Sequence, residues 1–298
     1  MNHPIDNDLR IAVTGAGGYL GQNLCRYLKD RGAEVFQLTG NPRAASTIPS
    51  ARFTFHDGVA QGFFAENKIN SLVHGAYDFK PRTRAAIWEC NVKGSISLFT
   101  QARAEGVERI VFVSSMSAYE GCRSLFGSAK LEIERALNEI PGGCSIRSGL
   151  IYSTPIAESG GMVGSILQSL QGGVIPLIGK GDQILYLSHE NDLARLIEWL
   201  LQNPTASENT PLIAANPRPY ALREIIQLLG QTTGAKKARL VPVPWRLAWA
   251  GVRSLEALGV NTKFRSDSIL SLVHQNPKPD FSAVPDEIVF RDFAAAIV

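Results

Sequence analysis

Residues 11–21 read Ile11-Ala12-Val13-Thr14-Gly15-Ala16-Gly17-Gly18-Tyr19-Leu20-Gly21, an apolar strand-like run that passes through glycines into an amphipathic helical pattern. The spacing is G-x-x-G-x-x-G, and each glycine has its own task. Gly15 permits a tight turn, Gly18 lets the backbone approach a pyrophosphate at the helix start, and Gly21 lets helix and strand pack closely. Gly17, Tyr19 and Leu20 complete the loop that would hold such a ligand.

Outward from this loop, short apolar runs recur at Glu34 to Leu38, Arg52 to Phe55, Ser71 to His74, Arg109 to Val113 and Cys144 to Arg147. Helix-like stretches such as Gln22 to Asp30, Trp88 to Glu105 and Ser128 to Asn138 separate several of them. This βαβ rhythm predicts a doubly wound α/β domain with a parallel sheet covered on both faces. After Tyr152 the texture changes to glycine-punctuated segments, then one more strand-helix unit at Ile184 to Gln202, then Pro-bounded helical pieces. The expectation is a dinucleotide-binding domain from residues 1–150 and 184–215, and a smaller, discontinuous substrate domain from 151–183 and 216–298.

Composition narrows the function. The chain has 298 residues, 45% hydrophobic and 19% charged, so a packed core is expected and disorder is excluded as its main state. A net charge of +3 without a basic block offers no track for a phosphate backbone, so nucleic acid is not an expected partner. Cys25, Cys90, Cys122 and Cys144 form no C-x-x-C pair, which predicts neither a metal site nor a disulfide framework and suits a reducing cytoplasm. No export signal or membrane span is visible in the pattern. At the end of the second strand, where NAD sites place a carboxylate, the chain reads Thr39-Gly40-Asn41-Pro42-Arg43. Arg43, otherwise an exposed loop arginine, can pair with a 2′-phosphate, so NADP is favoured over NAD.

The motifs Val73-His74-Gly75-Ala76, Asn91-Val92-Lys93-Gly94, Val113-Ser114-Ser115-Met116-Ser117-Ala118-Tyr119, Ile146-Arg147-Ser148-Gly149-Leu150-Ile151-Tyr152 and Ser188-His189-Glu190-Asn191-Asp192 follow in order. Together the chain resembles the extended short-chain dehydrogenase/reductase family, and more narrowly its NAD-dependent epimerase/dehydratase group. The resemblance implies a Rossmann-type sheet. Gly15, Gly18 and Gly21 would hold the pyrophosphate, Asp57 and Gly58 with Val59 the adenine, and His74, Gly75, Ala76, Asn91 and Ser114 would line or support the cofactor. Ser115 matches the catalytic serine that bonds the substrate oxygen, and Lys130 the lysine that holds the nicotinamide ribose. Paired helices matching Trp88 to Glu105 and Ser128 to Asn138 often build a homodimer in that family.

One position departs from it. The family's catalytic tyrosine lies four residues before the lysine, and here the segment reads Phe126-Gly127-Ser128-Ala129-Lys130. Phenylalanine cannot titrate, and losing a positioned acid or base forfeits about 10²- to 10⁴-fold in rate. Tyr77, Asp78, Cys122, Tyr152 and the pair Tyr119 and Arg123 are the groups that can replace it. Lys80, Arg82 and Arg84 form a basic stretch that can receive a phosphate or carboxylate on a substrate, or a solvated loop. Two readings follow: an NADP-dependent oxidoreductase or epimerase acting on a sugar nucleotide or similar hydroxyl or carbonyl, or a non-catalytic NADP-binding sensor or interaction protein.

Overall fold

The computed structural model describes residues 8–42, 47–203, 211–234, 239–260, 262 and 264–297. Its centre is a seven-stranded sheet containing β1 (Arg10–Thr14), β2 (Glu34–Thr39), β3 (Ser50–Arg52), β4 (Ser71–His74), β5 (Arg109–Ser115), β6 (Gly143–Ser148) and a last strand, Leu212–Ala214. All neighbours pair in parallel, in the order β3-β2-β1-β4-β5-β6 and then Leu212–Ala214. The chain reverses direction across the sheet between β1 and β4, and the carboxyl ends there open the crevice where such sheets bind ligands.

Alternating residues feed two cores. Ile11, Val13, Val111 and Val113 face one side with Leu24 and Leu28 of helix α1 (Tyr19–Asp30) and Leu193, Ile197 and Leu200 of the Glu190–Gln202 helix. Ala12, Leu72, Ile110 and Phe112 face the other, against Leu98 and Phe99 of the Gly94–Ala104 helix and Ile133 and Leu137 of the Leu125–Asn138 helix. Strands covered on both faces carry continuous apolar runs for this reason. A third cluster, with Tyr152, Ile166, Leu187, Tyr220, Ile225 and Phe293, is assembled from residues after β6.

Several boundaries differ from the sequence pattern, α1 opening at Tyr19 and not Gln22 among them, and two have a plain local cause. The third strand is Ser50–Arg52 and not Arg52 to Phe55, because Thr54 and Gly58 form an antiparallel bridge that turns the chain out of the sheet while Phe53 is buried beneath it. The Leu125–Asn138 helix begins before Ser128, because the Ser124 hydroxyl caps it by accepting the Gly127 N–H at 3.0 Å. Among the described residues no helix is long and apolar enough to cross a membrane.

Candidate active site

The glycine loop has the geometry its spacing demands. Gly15 has φ +71°, and a Cβ there would meet the Ala76 amide at 2.9 Å. A Cβ on Gly21 would overlap the Gly15 carbonyl. Gly18 is the N-cap of α1 and contributes no side chain to the cap, and the first turn carries no acidic residue. The amides that open α1 therefore stand ready for an anion, reinforced by the helix dipole. Tyr19 leaves the loop sideways: its hydroxyl bonds Ser153 Oγ at 2.5 Å, its ring packs on the Gly160 backbone, and burial pushes its pKa up to about 12.

The next strand is tied to this loop by one buried chain of hydrogen bonds. The Gly75 and Ala76 amides donate to Thr14 Oγ1 at 3.2 and 3.3 Å, and Thr14 Oγ1 bonds His74 Nδ1 at 2.7 Å. His74 Nε2 lies 2.8 Å from Ser95 Oγ, which donates to the Asn91 carbonyl at 2.6 Å. Directions agree only if His74 is neutral with its proton on Nε2, an assignment made from the network. Burial first, and the Lys130 charge second, lower its pKa to about 3. Asn91 is wholly buried in a π-helical turn, Trp88–Lys93, where its amide accepts from Asp78 N at 2.7 Å and donates to Asp78 O at 3.0 Å. Such turns gather at functional sites. The side chains of His74 and Asn91 are thus buried and hold the 75–78 loop in place, Asn91 in the supporting position that the resemblance implies.

Beyond that loop lies a cavity of about 330 Å³ whose lining includes Tyr77, Ser115, Phe126, Tyr186, Arg265 and Asp267. Phe126 packs edge-on against Tyr77 at 4.9 Å between centroids and stacks with Phe79 at 5.8 Å. Lys130, one turn further along the same helix, is buried; Nζ donates to the Val113 carbonyl at 2.8 Å and lies 4.5 Å from the Phe112 ring centre and 5.3 Å from that of Tyr77. Burial lowers its pKa to about 7, against the pull of Glu134. Ser114 Oγ, buried at the end of β5, has no partner among the described protein atoms.

Of the groups that can replace the missing phenol, the cavity lining includes Tyr77. Its pKa is raised by burial and then by the Asp267 carboxylate, so its proton stays on. Tyr119 is committed elsewhere, its hydroxyl donating to the His274 carbonyl at 2.9 Å. Tyr152 is fully buried against His189 and Phe293, Cys122 faces Ser128, and Asp78 receives the Lys80 amide.

Other expected residues fall elsewhere. Asp57 and Gly58 line a separate depression of about 1070 Å³ with Lys93 and Gln101, to which Gly15, Gly17, Gly18 and Gly21 do not contribute. Lys80 is exposed on its loop. Arg82 and Arg84 do not line the Ser115 cavity; they border a neighbouring crevice, and Arg84 lies over the Trp88 ring at 4.2 Å. Arg43 lies outside the described residues. Arg265 and Asp267, which join this site from far along the chain, escaped the sequence reading because they belong to no local motif.

With this geometry in hand, comparison with known proteins is direct. The chain is 27% identical to the photosystem II assembly factor Ycf39 of Guillardia theta, over 80% of this chain and 74% of that one. It is 25% identical to UDP-glucose 4-epimerase of Haemophilus influenzae, over 58% of this chain and 61% of the epimerase. Among solved structures, MoeE5 in complex with UDP-glucuronic acid and NAD superimposes with TM-score 0.61 at 17% identity, covering 88% of this chain and 97% of that one. Residues 11–214, more than half of the chain, match the NAD dependent epimerase/dehydratase family. That span takes in the glycine loop, the β4 loop, Ser115 and Lys130, and the chain belongs to this family.

Proposed function

We propose that the protein binds a nicotinamide dinucleotide along the Gly15–Gly21 loop and reduces a carbonyl on a small molecule bearing an anionic group, as sugar nucleotides do. The observation that carries this reading is the cavity that unites Ser115, Phe126 and Tyr77 beside Lys130. The open amides of α1 and the unpartnered Ser114 hydroxyl suit a polyhydroxylated, phosphorylated ligand, which when bound supplies a hydride. The absence of a carboxylate in residues 39–43 supports NADP over NAD.

Hydride and proton transfer need different groups. A carbonyl that accepts a hydride gathers negative charge on its oxygen. The Ser115 hydroxyl donates a hydrogen bond to that oxygen, the Tyr77 phenol gives it a proton, and solvent restores the phenol. With burial first and the Asp267 carboxylate second holding its proton on, Tyr77 enters the reduction as the protonated phenol. In this reading the lobe after β6 holds the substrate, the protein works in the cytoplasm, and the helices containing Trp88 and Ser128 form a homodimer contact.

The test is a titration of the purified protein with NADPH and with NADH, followed by tryptophan quenching, and then a carbonyl screen with the tighter cofactor. NADPH binding that is tighter than NADH binding, and turnover lost by about 10²-fold or more in Tyr77→Phe, are the expected results. Cofactor binding without turnover of any carbonyl would favour the sensor reading. Binding of neither cofactor would defeat both.

A further inference from the structure

The cavity around Ser115 is walled largely by rings and aliphatic groups: Tyr77, Phe79, Phe126, Met162, Leu185 and Phe264. Serines also line it, but Ser117 and Ser271 bond each other at 2.7 Å and Ser148 donates to the Ser114 carbonyl at 3.2 Å, so few hydroxyls are left to replace the water that a sugar ring would lose here. Asp267, an acid in this lining, is already engaged, accepting the amides of Leu125 and Phe126 at 2.7 and 2.9 Å.

Immediately beside it is a crevice of about 630 Å³ bordered by five arginines, Arg82, Arg84, Arg123, Arg253 and Arg265. Arg265 and Asp267 line both hollows, so the two are neighbours that share a wall. Two carboxylates, Asp267 and Glu256, stand against the five guanidiniums and leave the crevice net positive. Asp267 is capped as described, and Glu256 accepts the Ser266 amide and hydroxyl at 3.1 and 2.5 Å, with Arg253 4.0 Å away. Arg265 spends its guanidinium on neutral carbonyls, those of Phe79 at 2.6 Å and Pro81 at 2.9 Å, which fix its place and leave its charge intact.

From this juxtaposition we infer that the substrate is bipartite: its reacting end is an aryl or alkyl ketone or aldehyde, and an anionic group on the same molecule, phosphate or carboxylate, lies among the arginines. This rests on the reductase reading for its chemistry and replaces the sugar with an apolar carbonyl. A guanidinium cluster recognises phosphate and carboxylate alike through paired N–H donors, so the chemistry is common to both anions.

The experiment uses the full chain with NADPH and four probes: 1-phenylpropan-1-one, 4-oxo-4-phenylbutanoate, the phosphate monoester of 3-hydroxy-1-phenylpropan-1-one, and UDP-glucose. Binding is read by ligand-observed NMR and by thermal shift, and NADPH consumption separately. The expected order places one anionic aryl ketone about tenfold or more ahead of the neutral ketone and of UDP-glucose, and which anion leads tells phosphate from carboxylate. In the double variant Arg123→Gln/Arg253→Gln, at two exposed positions, the anionic ketone is expected to weaken about tenfold while the neutral one is unchanged. Tighter binding of UDP-glucose, no gain from the anionic group, or no binding of any probe would overturn the inference. If the anionic ketone binds in this order and NADPH is not consumed, the substrate class stands and the reductase reading falls.

Discussion

Phe126 stands four residues before Lys130 on one helix, and the structure shows what surrounds it. The ring lies 5.9 Å from Lys130 Nζ and packs against Tyr77. A hydroxyl added to it by Phe126→Tyr would enter the same cavity one helical turn from Lys130, whose ammonium form lowers a neighbouring phenol's pKa. We expect Phe126→Tyr to raise carbonyl reduction by about 10²-fold and to bring in measurable alcohol oxidation with the oxidised cofactor. Steady-state assays in both directions check this. An unchanged rate in each would mean that the missing hydroxyl is not what limits the protein. The order Phe126 to Lys130 was visible in the sequence, but the packing of Tyr77 against Phe126 was not, since Tyr77 was one of several titratable groups until folding placed it there.

At the scale of elements, the Leu125–Asn138 helix carries both Phe126 and Lys130, and its first turn is held by two caps of different origin. Ser124 satisfies the Gly127 amide from the adjoining residue, whereas Asp267 comes from the Ser266–Val273 helix to take the Leu125 and Phe126 amides. A carboxylate on the amides of a helix start is stabilised by the dipole as well as by hydrogen bonds. Asp267→Ala is expected to cost about 1–2 kcal/mol in urea denaturation and to loosen the cavity wall it shares with Arg265. Stability unchanged within error would show that Ser124 alone secures the helix. The Ser124 cap has a local sequence signature and the Asp267 cap has none, because the latter spans 142 positions.

For the whole molecule, two buried histidines link stability to pH. His189 caps the Glu190–Gln202 helix by accepting the Asn191 amide at 3.1 Å and bonds Thr154 Oγ1 at 2.9 Å, and burial lowers its pKa to about 4. His74, at about 3, ties β1 to the Gly94–Ala104 helix. An unfolded histidine takes up a proton near pH 6.5, but the folded chain resists it, so this contribution is complete above pH 6.5 and is lost as pH falls toward 4 for His189 and 3 for His74. Stability is expected to drop by up to about 2 kcal/mol per histidine between pH 7 and pH 5, read from denaturant midpoints. His189→Gln should flatten part of that slope, and an equally steep slope in the variant would rule His189 out as a source. The sequence by itself determined the nucleotide-binding half, because a parallel sheet buried on both faces writes itself as apolar runs, and because glycines are obligatory where backbone meets backbone at Gly15 and Gly21. It also placed Phe126 four residues before Lys130, which is a matter of spacing along one helix. Only the tertiary structure decided the rest: that His74 and Asn91 face inward, that Tyr77 packs beside Phe126 in the Ser115 cavity, and that Arg265 and Asp267 arrive from the last third of the chain. These are long-range contacts, set by which faces of distant elements must be buried together, and no local pattern of residues records them.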